Sequence, residues 1–209
     1  MFGRKSALDR GLDAFESRNW KRARRHLEEA QQNEQRAAGD YHLGLLYWRG
    51  LGGPRAVPEA VALFERAAAS GHSAAQTAYA MALRGGAGIK QDLNAARALF
   101  REAAGAGDKT AMVELATMSP PDDARYWMLR AGELGHAPAM VFLADILMRR
   151  EPIEALAWLY TAATISGEDA PRKRAAALAR EMSAAEIDEA QKIGRARAKS
   201  LQNQMRERR

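Results

Sequence analysis

The feature that most constrains the fold of this chain is an internal repeat with an offset of 36 residues. The segment ALFERAAASGHSAAQ at 62–76 returns as ALFREAAGAGDKTAM at 98–112. The glycine-rich stretch RGLGG at 49–53 returns at the same offset as GGAGI at 85–89. A period of this length is typical of stacked helical arrays, and it predicts that each unit is a pair of helices.

Two later segments continue the repeat with changes in length. MLRAGELGHAPAM at 128–140 keeps the turn glycine, but its loop is shortened to SPPDDA, where Pro120 and Pro121 mark a helix start. EALAWLYTAATISG at 154–167 carries one extra residue before its glycine. In the first helices, small and large residues recur on one face, and we expect the small ones to let paired helices approach closely.

The pattern LGLLYWRGLGG followed by AVALFERAAASG resembles the Sel-one-like repeat (SLR), a longer-looped relative of the tetratricopeptide repeat (TPR). The match extends over about residues 36–167. This resemblance implies an all-α fold, a right-handed α-solenoid of stacked helix-turn-helix (SLR/TPR-like) repeats. It also implies that the first helices line a concave side on which partner peptides lie.

The same register divides the chain into three parts. Residues 1–35 resemble a shorter, TPR-like helical hairpin, and residues 168–209 resemble the capping helices that follow such arrays in bacterial members, with a basic tail. Between them we expect four SLR-like repeats, at about 36–71, 72–107, 108–135 and 136–167.

Two local signals bear on the C-terminal part. Ser183 and Glu186 have the spacing of a capping box at the start of the last helix. Gly194 is expected to end or weaken that helix and to leave the tail partly frayed.

Composition excludes several classes of site. The chain has no cysteine, which rules out disulfides, thiolate metal sites and cysteine nucleophiles. Its first residues lack an apolar signal-peptide core, and no segment reaches the length of a membrane span, so we expect no transmembrane segment and a cytoplasmic location. Alanine and arginine richness favours a bacterial source. The net charge of +6 favours acidic partners.

Apparent catalytic and ligand motifs are explained by the repeat. His72 and His136 each follow a turn glycine, and Asp108 holds the same place between them, so the histidines are expected at helix starts rather than in a metal site. The glycine loops lack the Gly-Lys-Ser/Thr of a phosphate loop and sit between helices. Asp122 and Asp123 suit the first turn of a helix. We therefore predict no metal, no cofactor and no enzymatic activity.

The first helices carry a second stripe opposite the repeat core. Its best candidates for contacting a partner on the concave face are Tyr41, Leu45, Trp48, Met81, Arg84 and Met148. Thr77, Val113, Thr117, Val141 and Asp145 fall on the same stripe. Two interpretations stay open, since these side chains either bind a partner or only pack adjacent repeats together.

Positive charge concentrates near both ends of the chain. In RNWKRARRHLEEA at 18–30, a helical arrangement buries Trp20, Ala23, Leu27 and Ala30 and exposes the basic residues Lys21, Arg22 and Arg25. The tail adds a second basic patch, with Arg195, Lys199 and Arg206. Either patch is a solvated face or a surface for an acidic partner, RNA or an anionic membrane.

These observations predict a non-enzymatic adaptor or scaffold for protein–protein interaction, which binds a partner protein or peptide on the concave face of the solenoid. The alternative is an electrostatic binder of RNA, DNA or an anionic membrane surface through the basic patches 18–25 and 195–209. Against base-specific recognition, neither patch interleaves its cations with aromatic residues suited to base stacking.

Overall fold

A computed structural model describes residues 5–31 and 36–207, and within these ranges every regular element is an α-helix. The chain divides into two compact units, Met1–Ala111 and Met112–Arg209. The boundary falls inside helix α7, whose bounds are Lys109–Thr117. The predicted all-α fold of paired helices is confirmed.

The first unit contains three helix pairs. Their bounds are α1 (Ala7–Glu16) with α2 (Trp20–Ala30), α3 (Arg36–Arg49) with α4 (Val57–Ala69), and α5 (Ser73–Gly85) with α6 (Leu93–Gly105). Each pair packs internally, and α2 contacts α3 as α4 contacts α5. The pairs therefore stack in chain order within this unit.

Close approach within a pair depends on a small residue facing a large one. A Cβ on Gly44 would lie 2.6 Å from Cε1 of Phe64, and a Cβ on Gly11 would lie 2.7 Å from Cδ2 of Leu27. At the matching place in the next repeat, Ala80 is fully buried. The predicted function of the small positions is confirmed, because a larger side chain there has no space.

The glycine-rich loops of the two full repeats have the same backbone connections. The amide of Leu51 donates to the carbonyl of Leu46, and 36 residues later the amide of Ala87 donates to the carbonyl of Ala82. In both loops the second glycine of Gly-x-Gly is left-handed, with φ of 75° at Gly52 and 74° at Gly88. These glycines are turn residues between helices, as the sequence predicted.

The second glycine also sits against the helix pair that precedes its own repeat. A Cβ on Gly52 would lie 2.4 Å from the carbonyl oxygen of Trp20 at the start of α2. A Cβ on Gly88 would lie 2.8 Å from Cγ1 of Val57 at the start of α4. The loop of one repeat therefore rests on the first turn of the previous second helix, and glycine makes that contact possible.

Three helix starts use the same capping position. The ring Nδ1 of His72 accepts from the amide of Ala75 at 3.2 Å, and Nδ1 of His136 accepts from the amide of Ala139 at 3.2 Å. Between them, Oδ1 of Asp108 accepts a bond of 2.8 Å from the corresponding amide three residues on. The prediction that the two histidines occupy a repeated helix start is confirmed.

The second unit contains the rest of the helices of the described chain. Beyond α7 they are α8 (Pro121–Glu133), α9 (Ala137–Leu147), α10 (Pro152–Ser166), α11 (Asp169–Ala179) and α12 (Ala184–Glu207). Helix α10 is central, because it packs against α9, α11 and α12. Pro121 opens α8 with Asp122 and Asp123 in its first turn, as predicted.

The last helix corrects one expectation. Gly194 neither ends nor weakens α12, which continues without interruption to Glu207. Gly194 is buried, and a Cβ there would lie 2.9 Å from Cβ of Tyr160 and 3.0 Å from the carbonyl oxygen of Ala157. Tertiary packing against α10 therefore outweighs the low helix propensity of glycine. The capping box is confirmed, since the amide of Ser183 donates to Glu186 at 2.8 Å.

Candidate partner-binding surfaces

The candidate residues on α3 belong to an aromatic cluster of the first unit. The Tyr41 ring stacks on the His72 ring at a centroid distance of 4.8 Å, and the Trp48 ring lies 6.1 Å from that of Phe64. Tyr41, Leu45 and Trp48 are all half-buried, and burial raises the pKa of the Tyr41 phenol. These side chains contribute to packing and leave only part of their surface for a partner.

The candidates on α5 differ in exposure. Met81 is 41% exposed, which is high for a methionine on a helix of a packed pair. Arg84 is half-buried, with its guanidinium carbon 6.0 Å from the centroid of the Phe100 ring. Thr77 is buried and its hydroxyl donates to the carbonyl of Ser73, so this residue is not part of the exposed stripe.

Helix α9 of the second unit presents an apolar outer face. Met148, at the end of this helix, is 37% exposed, and two residues that sequence reasoning missed are more exposed, Phe142 at 41% and Ile146 at 43%. Beside them, Asp145 forms an ion pair with Arg174 of α11. Phe142 and Ile146 are one turn apart on the same side of α9, and we call these two residues the α9 face, whereas Met148 lies on another side of the helix.

The repeat register concealed these two residues. Ile146 matches Leu46 and Ala82 of the earlier repeats, and both of those are fully buried. The stripe of candidate residues opposite the repeat core therefore did not include Ile146. The available signal was the run of apolar residues 140–143, because a helix with apolar residues on more than one side has more apolar surface than one packed face covers.

The basic residues predicted on α2 are exposed. Lys21, Arg22 and Arg25 all lie on the outer side of the helix, opposite Ala23 and Leu27, which are fully buried. The predicted division of this helix into an apolar inner half and a basic outer half is confirmed.

Arg24, a neighbour in the same basic run, has a structural function. Its guanidinium carbon lies 4.3 Å from the centroid of the Tyr47 ring. Nη1 donates to the carbonyl of Pro54 at 3.2 Å, and Nε donates to Glu28 at 3.0 Å. Arg24 thus joins α2 to the glycine-rich loop of the next repeat, and its charge is not available to a partner.

The basic residues of α12 divide in the same way. Arg195, Lys199 and Arg206 are exposed. Arg197 lies on the other flank, where Nη2 donates to Oε1 of Glu154 at 2.6 Å and the guanidinium carbon lies 3.8 Å from the centroid of the Trp158 ring. Arg197 therefore fixes the last helix to α10, and only the outward-facing cations are available for binding.

The described ranges contain neither a cluster of metal-binding side chains nor a membrane-spanning helix. No group of three or more histidine, aspartate or glutamate side chains is arranged to hold a metal ion among residues 5–31 and 36–207. None of the helices in the same ranges is both long enough and apolar enough to cross a membrane.

Comparison with solved structures identifies similar folds. A Sel1 repeat protein from Oxalobacter formigenes is 21% identical with a TM-score of 0.69, over 92% of this chain and 84% of that one. A protective antigen of uropathogenic Escherichia coli that displays an SLR fold is 18% identical with a TM-score of 0.59, over 96% of this chain. The present chain spans 55% of the length of that antigen. These similarities show the fold alone.

Sequence comparison identifies the family. No curated protein sequence matches the chain significantly. The model of the Sel1 repeat matches four segments, which together cover more than half of the chain, at residues 37–72, 73–108, 121–136 and 137–164. The third match is the shortest, in agreement with the shortened loop before α8. With the stacked helix pairs, the left-handed glycine loops and the repeated helix caps, these matches show that the chain belongs to the Sel1 repeat family.

Proposed function

We propose that this protein is a non-enzymatic adaptor or scaffold that binds a protein or peptide through the exposed faces of the first helices of its repeats. The observation that carries the proposal is the α9 face, where Phe142 is 41% and Ile146 is 43% exposed. Adjacent large apolar side chains on a protein surface are typical of partner contacts. The exposed Met81 of α5 provides a similar contact in the first unit.

The chemistry of this surface fits a peptide or helix with apolar anchors. Phenylalanine and methionine are both enriched at interfaces, and methionine adapts to varied apolar side chains. The Asp145–Arg174 ion pair at the edge of the α9 face adds a polar rim. In this proposal the repeats at 36–167 supply the binding surface, while 168–209 cap the array. Membership of the Sel1 family, whose repeats typically act in protein–protein interaction, supports it.

The experiment is affinity capture with the full chain from a lysate of the source cells, followed by mass spectrometry. We expect Phe142→Asp with Ile146→Asp to remove the specific partner set, because the charges prevent apolar burial. The matched control is Tyr126→Asp with Leu129→Asp, which places the same two charges on α8 at side chains that are 54% and 36% exposed. Equal retention of the partner by both variants would refute the α9 face as the binding surface.

The alternative function is electrostatic binding of RNA, DNA or an anionic membrane through the basic patches. The exposure of Lys21, Arg22 and Arg25 and of the α12 cations keeps this alternative open. Nuclease treatment of the lysate separates the two, since a partner set lost on treatment favours nucleic acid. Nuclease-resistant capture that depends on the α9 face favours the adaptor.

The proposal places the protein in the cytoplasm of a bacterium. The bacterial part is supported by the two solved relatives, which come from Oxalobacter formigenes and Escherichia coli. Fractionation of the source cells with an antibody against the chain tests the location, and recovery outside the cytoplasmic fraction would contradict it.

A further inference from the structure

A row of cations without carboxylate partners lies on the outer flank of α12. Lys199 follows Arg195 by four residues, and Arg206 follows Lys199 by seven. The three side chains therefore lie on one face of the helix, at intervals of about 6 and 10 Å along its axis. The sequence between Glu189 and Glu207 has no carboxylate. Within residues 5–31 and 36–207, none of the three forms an ion pair.

Neighbouring cations on α12 are neutralised, and these three are the exception. Lys192 pairs with Asp188 at 2.6 Å on the same helix. Arg197 pairs with Glu154 at 2.6 Å across the contact with α10. The net positive charge of the helix is therefore concentrated on the outer flank.

One end of this row opens into a cleft of about 430 Å³ between α10, α11 and α12. The cleft is lined by Tyr160, Ala163, Thr164, Arg172, Gln191 and Arg195. Two guanidinium groups from different helices thus line one depression. Nη1 of Arg172 lies 3.8 Å from Oδ1 of Asp169, and both side chains of this ion pair are exposed. Nε of Arg195 donates to the carbonyl of Gln191. Their remaining N–H groups can donate to an added acceptor.

We propose that Arg172, Arg195, Lys199 and Arg206, which we call the cationic strip, bind an extended acidic segment of the protein partner. A guanidinium matches a carboxylate in shape and charge, so one aspartate or glutamate of the segment fills the cleft. Side chains on one face of an extended chain recur at about 6.6 Å, close to the spacing of Arg195 and Lys199. The inference rests on the proposed function in that the ligand is a protein.

The composition of the strip favours a peptide over other polyanions. Single-stranded nucleic acids are held by aromatic side chains on which successive bases stack, and among the described residues that line the cleft Tyr160 is the one aromatic side chain. A helix that lies on a membrane needs a free apolar face. The apolar side of α12, with Ala190, Ala198 and Leu201, is buried instead.

The test measures fluorescence anisotropy of a fluorescein-labelled decapeptide of alternating glutamate and serine, titrated with the full chain. Arg195→Glu with Lys199→Glu should weaken binding at least about tenfold, because two attractive charges become repulsive. The matched control is Arg22→Glu with Arg25→Glu on α2, which changes the net charge equally and should alter binding by less than about twofold. Equal loss in both variants, or no binding by the wild type, overturns the proposal.

Two further probes decide the class of ligand. A ten-nucleotide oligouridine and vesicles of phosphatidylserine with phosphatidylcholine are titrated under the same salt conditions. If either binds the wild type more tightly than the peptide does, and loses that binding in the strip variant, the proposal of a protein ligand is wrong. Weaker or strip-independent binding of both supports it.

The α9 face provides a separate readout. Phe142→Asp with Ile146→Asp should leave peptide binding to the strip unchanged, because these residues lie on a different helix from the strip. If that variant keeps the cellular partner while the strip variant loses it, the α9 proposal fails and the strip stands. If the α9 variant itself loses the acidic peptide, the strip is not the peptide site.

Discussion

The contact between Gly52 and the start of α2 leads to a graded prediction. Replacing Gly52 by alanine combines two penalties, a left-handed backbone with φ of 75° and a Cβ placed 2.4 Å from the carbonyl oxygen of Trp20. Gly71 has a similar φ of 79°, and no atom lies within 4 Å of its Cβ position. The two substitutions share the backbone penalty and differ in the steric one.

The magnitudes follow from these geometries. For Gly71→Ala, the left-handed penalty of about 1–2 kcal/mol is partly offset by about 0.4–1 kcal/mol from a less flexible unfolded chain, so we expect a loss of about 1 kcal/mol. For Gly52→Ala, displacing a backbone carbonyl adds about 1–3 kcal/mol, so we expect a loss of about 2–4 kcal/mol. Gly88→Ala should lie between them, since its nearest neighbour is a valine methyl.

Urea unfolding followed by far-ultraviolet circular dichroism measures the three free energies. Losses within about 0.5 kcal/mol of one another in Gly52→Ala and Gly71→Ala would refute the reasoning. In that case the second glycine of the loop would be required only for its left-handed backbone. The close contact with the preceding helix pair would then not explain why glycine occupies this position.

Two other predictions concern single side chains. Arg197→Met should reduce the free energy of unfolding by about 1–3 kcal/mol, because it removes the hydrogen bond to Glu154 and the contact with the Trp158 ring. The control Lys199→Met should change the free energy of unfolding by less than about 0.5 kcal/mol. Equal effects in urea unfolding would contradict the structural function of Arg197. Burial lowers the pKa of the His72 ring, so the unfolded chain takes up a proton at higher pH than the folded chain, and stability falls on acidification. Between about pH 7.5 and pH 5.5, His72→Asn, which keeps a neutral cap, should lose less stability than the wild type, and an equal loss would exclude the ring as the cause.

The repeat fold could be predicted because its signals are local and periodic. The offset between Phe64 and Phe100, the turn glycines and the helix-start residues recur in register, and each reports a feature that one helix pair requires for itself. Residues such as Ala23 and Leu27 could be assigned to the core for the same reason, since a helical face is determined by spacing alone.

Exposure of individual surface residues could not be predicted in the same way. The repeat pattern did not single out Ile146, which is 43% exposed, and it left open whether Tyr41 binds a partner or packs, whereas the structure shows Tyr41 half-buried against His72. Whether a side chain is covered depends on the length of the neighbouring helix and loop, and these vary between repeats.

The sequence by itself determined the class of fold, the helix pairs and the repeated turns and caps, because short-range geometry decides them. Only the tertiary structure decided which charges are free. Arg24 binds the loop carbonyl of Pro54 and the Tyr47 ring, and Arg197 binds Glu154 and the Trp158 ring. Within the described residues, Arg195 and Lys199 form no ion pair with another helix. The same structure showed that Gly194 is a point of close packing within a continuous helix. The physical reason is that these arginine contacts join residues 30 and 43 positions apart, a separation about which the periodicity within a single helix carries no information.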